Sequence, residues 1–179
     1  MTFVRHHPAI RVVHWLVAGM IIAALAMSTL IMSHIPNTDP AKASALLRHM
    51  SVGALIFMFS LLRLYIRRNV RRPPALSSGM AWADRIARVA HRLLDLLVFV
   101  MIGSGIGMAV VADLPAVLQG HGNLAVLDQL ALRTVHVCAA WLLIGVLALH
   151  ACGALYHQFV LKDGLLSRMW FAFDREPRD

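Results

Sequence analysis

Acidic residues are scarce in this chain. Nine Asp and Glu stand against seventeen Lys and Arg in 179 residues, and charged residues of both signs make up only 15%. A water-soluble chain of this length needs far more polar surface to cover its core. Cysteine is scarcer still. Cys138 and Cys152 lie fourteen residues apart in one apolar run, too distant along a helix to bridge each other. No CxxCH occurs, which excludes covalent attachment of a c-type haem, and no cysteine cluster offers an iron–sulfur or zinc site. A nucleotide-binding glycine fingerprint and a Ser-His-Asp arrangement are absent as well. A metal held by this chain must therefore rest on histidine or carboxylate.

What the chain has instead is apolar length. Hydrophobic residues are 59% of it, and they gather in four runs at about 9–33, 45–65, 91–112 and 135–159. Each run is close to the 17–25 residues expected of a membrane-spanning helix. The breakers fall between them: Pro36 and Pro40, Pro73 and Pro74, then Pro115 with Gly120 and Gly122. The expectation is an all-α integral membrane protein, with residues 1–179 forming one membrane domain built as a four-transmembrane-helix bundle in contact with lipid. The first run has a basic start and an Ala24-Leu25-Ala26 resembling a cleavage site. Its apolar stretch exceeds the 7 to 15 residues of a signal peptide, so it reads as an uncleaved span. Residues 161–173 mix Leu, Met, Trp170 and Phe with Lys162 and Arg168, and read as an amphipathic helix along the membrane surface. Trp82 is a candidate interfacial anchor for the middle connection.

The net charge of +8 is a topology signal. Thirteen Lys and Arg collect on one side, Arg5 and Arg11 about the start of the first run, seven from Arg67 to Arg92, and four after the fourth run, while only Lys42, Arg48 and Arg133 fall on the other side. By the positive-inside rule both termini and the middle connection are cytoplasmic. No recognition motif supports nucleic acid as a partner.

Ten histidines are many for so apolar a chain. His136 and His150 lie fourteen residues apart in the fourth run, which carries no charged residue from Val135 to Phe159. Fourteen residues are almost four helical turns, so both imidazoles face one way, roughly 21 Å apart along the axis. Depth pairs them with others. The second run enters from outside, placing His49 level with His136; the first enters from the cytoplasm, placing His14 toward the level of His150. A lone histidine in a membrane helix is more often an interhelical hydrogen-bonding residue than a ligand. Four at two matched depths favour ligands to two haems lying between helices.

Alternatives remain at the inner level, where His91 opens the third run and His157 lies two turns beyond His150. Pairing His136 with His157 separates the centres by about 31 Å, too near both surfaces for two buried macrocycles. Gly53, one turn from His49, and Gly145, between the two histidines of the fourth run, give a flat macrocycle room to approach the backbone. Arg63 lies fourteen residues beyond His49 and needs an anionic partner inside the membrane, such as a haem propionate or a quinone oxygen. Arg48 and Arg133 near the outer surface can neutralise propionates or attract an anionic donor. Gly103, Gly105 and Gly107 read as helix packing. The scattered methionines read as apolar filler.

These residues carry a resemblance. HWLV from His14, RHMSVG around His49, LLRLYIRR closing the second run, AH before Arg92, the stretch from His136 to His150 and YHQFVLKDGLLSRM from Tyr156 together resemble the bacterial cytochrome b561 family, four-helix dihaem proteins related to cytochrome b subunits of hydrogenases and formate dehydrogenases. The resemblance covers nearly the whole chain. It implies two haems b, with His14 and His150 as iron ligands of the inner one and His49 and His136 of the outer one. It also implies a multi-pass protein of the bacterial inner membrane that exchanges electrons with quinone, some relatives oxidising superoxide and reducing ubiquinone. The quinone site of such relatives corresponds here to His157, with Lys162 and Asp163 nearby. Relatives often carry a glutamate directly after the outer ligand of the fourth helix. Val137 stands there in this chain, so outer-side chemistry using that carboxylate is not implied.

The function expected is thus an oxidoreductase-type electron carrier between an outer-side small-molecule or protein donor and the quinone pool, with His157 as proton donor to the quinone and His91 with Asp95 as the second candidate. The alternative is a cytochrome b membrane anchor of a larger dehydrogenase or hydrogenase, docking a partner on the outer connection from Asp113 to Ala131. Either is compatible with a homo-oligomer.

Overall fold

Alternating long apolar helices and short breakers dictate the architecture. The computed structural model describes residues 5–71, 73–74, 77–119, 121 and 124–170. Four long helices, α1 Pro8–Leu30, α2 Ala41–Asn69, α3 Ala81–Val111 and α5 Ala131–Tyr156, are each apolar and long enough to cross a membrane. A short α4, Leu114–Leu118, lies in the last connection. No strand occurs among the described residues.

The helices outrun the apolar windows. α3 begins ten residues before His91, so His91 sits inside the helix and does not open it. The reason is local: Asp84 accepts hydrogen bonds from Ser77 Oγ at 2.6 Å, Ser78 N at 2.9 Å and Ser78 Oγ at 2.8 Å, tying up backbone and hydroxyl donors ahead of the first turn. Charged turns such as those carrying Arg85 and Arg88 extend a helix past the hydrocarbon without ending it. At its start α1 has Pro8 in the first helical turn and His7 accepting the Ala9 amide at 3.3 Å.

α5 closes differently. It widens into a π-turn over His157–Leu161, and the chain then reverses through left-handed Lys162 (φ 51°) and Gly164 (φ 74°). The continuous surface helix expected over 161–173 is therefore not formed in its described part. Residues 166–168 make only a 3-10 turn, and 171–173 lie outside the described residues. The segment docks instead. Trp15 Nε1 donates to Met169 O at 2.8 Å, Arg11 donates to Trp170 O at 2.9 Å, and Arg168 donates to Pro74 O at 2.8 Å. These bonds gather the chain's tail, the start of α1 and the middle connection at the arginine-rich end, called inner below.

α1 lies along α2, and α3 along α5. Gly107 eases the second approach: a Cβ at 107 would stand 2.9 Å from Leu132 Cδ1, whereas one at 105 would rest at an ordinary 3.5 Å from the His136 ring. Ile56, Leu97, Val98, Ala139 and Leu143 form the central core. Leu143, only 3% exposed, lies seven residues from both His136 and His150. At the opposite, outer end, Leu114, Leu124 and Leu127 of the last connection fold back onto Ala112, Leu46 and Met50. That connection spends its apolar residues on the bundle itself. Large apolar side chains such as Val110, Trp141 and Leu142 face outward, as a lipid-bathed surface requires.

Candidate functional site

The helices that carry facing histidines hardly touch. α5 approaches the backbones of α1 and α2 only sparsely, yet across these gaps its two histidines meet one partner each. His14 of α1 and His150 have ring centroids 6.3 Å apart; His49 of α2 and His136 have theirs 6.1 Å apart. The planes within the pairs cross at 70° and 71°. Gly53 and Gly145 border open space, with nothing within 4 Å of an added Cβ, so neither backbone is walled off by a neighbouring side chain.

Imidazole–metal bonds are about 2.0–2.1 Å and a ring nitrogen lies about 1.1 Å from its centroid, so two imidazoles facing each other through one iron have centroids roughly 6.3 Å apart. Both pairs fit that separation. Among the described residues no group of three or more His, Cys, Asp or Glu is placed to hold a bare metal ion. Two axial imidazoles suffice for an iron whose other four ligands come from a porphyrin. The residues present fit haem.

The outer pair is buttressed by hydroxyls that the sequence did not single out. Ser28 Oγ lies 3.0 Å from His49 Nδ1, and Ser104 Oγ lies 2.9 Å from His136 Nδ1. Ser104 sits between two glycines of a packing stretch, where a small residue reads as spacing. Its one distinguishing sign is the thirteen-residue offset from His91, close to the spacing of the two α5 histidines.

The inner level holds a third ring. His91 stands 4.9 Å from His150, centroid to centroid, with the planes at 82°. That is too close for an iron between them. Its Nδ1 lies 2.6 Å from Ala87 O, and since a carbonyl only accepts, this nitrogen carries the proton. His157 is held elsewhere: its Nδ1 lies 2.5 Å from Asp163 Oδ2, and Asp163 Oδ1 accepts the Leu165 amide at 3.0 Å.

Arg63 finds its anion within the protein. Asp95 of α3 accepts from Arg63 at 3.2 Å and from Arg67 at 2.6 Å, so the partner expected to be a propionate or quinone oxygen is supplied in part by a carboxylate. Asp95 is consequently engaged with arginines and not with His91. Two guanidiniums share this one carboxylate in a region where Arg63 and Asp95 are only 20% and 23% exposed. At the outer surface Arg133 is likewise spent, paired with Asp128 at 2.6 Å, which Asn37 also contacts at 2.8 Å. Arg48 is exposed and makes no ion pair among the described residues.

Removing the shared carboxylate takes an anionic partner from both Arg63 and Arg67. Asp95→Ala is expected to destabilise the bundle by about 1–3 kcal/mol, below the roughly 3–5 kcal/mol of a fully buried broken pair. Thermal unfolding in detergent checks this, and Asp95→Ala combined with Arg67→Ala should recover part of the loss.

Comparison with known proteins places residues 5–172 within the family described as prokaryotic cytochrome b561. The chain is 27% identical over 162 residues to "Probable superoxide oxidase CybB" of Yersinia pestis, covering 88% of this chain and 90% of that protein. It is 29% identical over 160 residues to cytochrome b562 of Cereibacter sphaeroides, covering 87% and 89% respectively. No solved structure matches.

Proposed function

The chain belongs to the prokaryotic cytochrome b561 family, membrane cytochromes b that bind haem and carry electrons, and from that premise we propose that it acts as a single membrane unit linking an outer-side donor to the quinone pool of a bacterial inner membrane. His14 with His150 and His49 with His136 would hold two haems b, and ubiquinone is the acceptor. The observation that carries this reading is the pair of centroid separations, 6.3 and 6.1 Å, each suited to one iron.

When bound, haem supplies reversible one-electron transfer at two depths of the bundle. The chain's own residues do the rest. Leu143 and its neighbours fill the interval between the two levels with apolar side chains, which excludes water and fixes the spacing. Reduction of one quinone to quinol takes up two electrons and two protons. His157 is the proton donor of this step, and Asp163 orients it by accepting its Nδ1–H. The Arg63 guanidinium, only partly answered by the Asp95 it shares with Arg67, suits a propionate or a quinone oxygen at the inner end.

At the outer end the donor is less constrained. The name of the Yersinia relative points to superoxide, and exposed Arg48 beside His49 supplies positive charge for an anionic small molecule. Arg133 is neutralised by Asp128, and Val137 brings no carboxylate, so the case for superoxide rests on Arg48 and on the relative.

The test is haem quantitation with reduced-minus-oxidised spectra on the purified protein and on its His49→Ala and His150→Ala variants. Two haems b per chain are expected in the parent, with each variant losing a different one. Retention of both haems in both variants would overturn the ligand assignment.

A further inference from the structure

At the outer level two serines from two different helices each place a hydroxyl on the Nδ1 of a facing histidine: Ser28 of α1 on His49 at 3.0 Å, and Ser104 of α3 on His136 at 2.9 Å. Ser104 is itself 5% exposed, and its hydroxyl has a second engagement. It donates to Val100 O at 2.7 Å and also reaches Met101 O at 3.1 Å. Both are carbonyls of the preceding turn and can only accept. The single O–H of Ser104 is thereby committed to its own helix, and only a lone pair of Oγ remains for the imidazole. His136 Nδ1 must then carry the proton and donate it to Ser104, which leaves Nε2 unprotonated. An unprotonated ring nitrogen is the form that binds a metal.

We propose that Ser28 and Ser104 are positioning residues of the outer site, Ser104 holding His136 as its Nδ1–H tautomer and Ser28 orienting the His49 ring through Nδ1, so that both Nε2 atoms are presented to one iron. The proposal rests on the dihaem reading above. Ring nitrogens remote from a metal are commonly fixed by a carboxylate, carbonyl or water, and loss of that partner weakens metal affinity about 10- to 100-fold. Here the partners are hydroxyls, and they come from helices other than those bearing the ligands. α1 therefore serves the outer site through Ser28 while serving the inner one through His14, and α3 serves the outer site without supplying a ligand to it. Gly105 lies beside the same ring, its Cβ position 3.5 Å from His136 Cε1, an ordinary contact distance.

A single interhelical hydrogen bond adds little to the stability of a membrane bundle, so removing either hydroxyl is expected to leave the fold intact. The experiment uses the full chain in detergent: parent, Ser104→Ala, Ser104→Thr and Ser28→Ala, each loaded with haem and challenged with apomyoglobin as a haem acceptor. Release from the outer and inner sites is separated by the distinct α-bands identified with His49→Ala and His150→Ala. Ser104→Ala and Ser28→Ala are expected to lose outer-site haem with an affinity at least about 10-fold weaker than the parent. The inner site should be unchanged, and Ser104→Thr, which keeps a hydroxyl, should match the parent. Unchanged outer-site retention in both alanine variants overturns the proposal, as does equal weakening of the inner site. If Ser104→Ala does not assemble, Ser28→Ala decides alone by the same two readings. A parent that binds no haem, or a His49→Ala variant that keeps its outer haem, would instead overturn the dihaem reading, so the two failures are told apart.

Discussion

His14→Ala is expected to remove the inner haem completely, lowering content from two per chain to one, whereas His91→Ala keeps both. Three imidazoles crowd the inner level and only two can be axial. His14 and His150 have centroids 6.3 Å apart, the separation an intervening iron requires, while His91 and His150 are at 4.9 Å, in direct ring contact. His91 also has its Nδ1 proton committed to Ala87 O at 2.6 Å, within the helix that carries it. Its place is beside the proposed ligand: on α3, next to His150, as Ser104 is next to His136. Loss of His91 should shift the inner haem's spectrum or midpoint potential without releasing it. Haem per chain and the reduced α-band of the two variants check the assignment. A His91→Ala protein lacking the inner haem would exchange the roles of His14 and His91.

Much of the inner and outer geometry was legible in the sequence because helical periodicity converts residue number into depth. Fourteen residues between His136 and His150 fix both a shared face and a separation, and the charge distribution orders the helices in the membrane. The four long helices follow from apolar length alone. Lateral information was not legible. Nothing in one dimension says that Asp95 of α3 stands against Arg63 and Arg67 of α2, so an intramembrane arginine was assigned a cofactor partner that a carboxylate already supplies in part. The same blindness hid Ser28 and Ser104, whose short side chains matter only because particular helices lie next to each other. Helix ends were misplaced for another reason. Hydropathy marks where hydrocarbon begins, while a helix ends where its terminal backbone groups find other partners, as at Asp84 with Ser77 and Ser78. The tail failed as a surface helix because left-handed Lys162 and Gly164 reverse the chain before the amphipathic pattern can take effect.

Replacing His157 by Phe is expected to slow quinone reduction by about 10²- to 10⁴-fold, the loss typical of a missing positioned acid–base group, while leaving haem content and spectra as in the parent. The expectation follows from how α5 ends. His157 follows α5 directly, two turns beyond His150, with α-helical dihedrals, and it opens the π-turn over His157–Leu161; such bulges in helices are frequent at functional positions. The left-handed Lys162 then folds Asp163 back onto the imidazole at 2.5 Å. Asp163 is itself fixed by the Leu165 amide, so the ring is oriented from one side and its Nε2 is left for a substrate. Both side chains are only about one-fifth exposed, 17% and 22%, so the pair sits in a restricted space. Asp163→Asn should give a smaller loss than His157→Phe, because it disturbs the orientation of the donor without removing it. Mixing the chemically reduced protein with a soluble ubiquinone analogue in a stopped-flow instrument measures the step directly, with haem oxidation as the signal. Undiminished haem oxidation in His157→Phe would exclude this histidine as the proton donor.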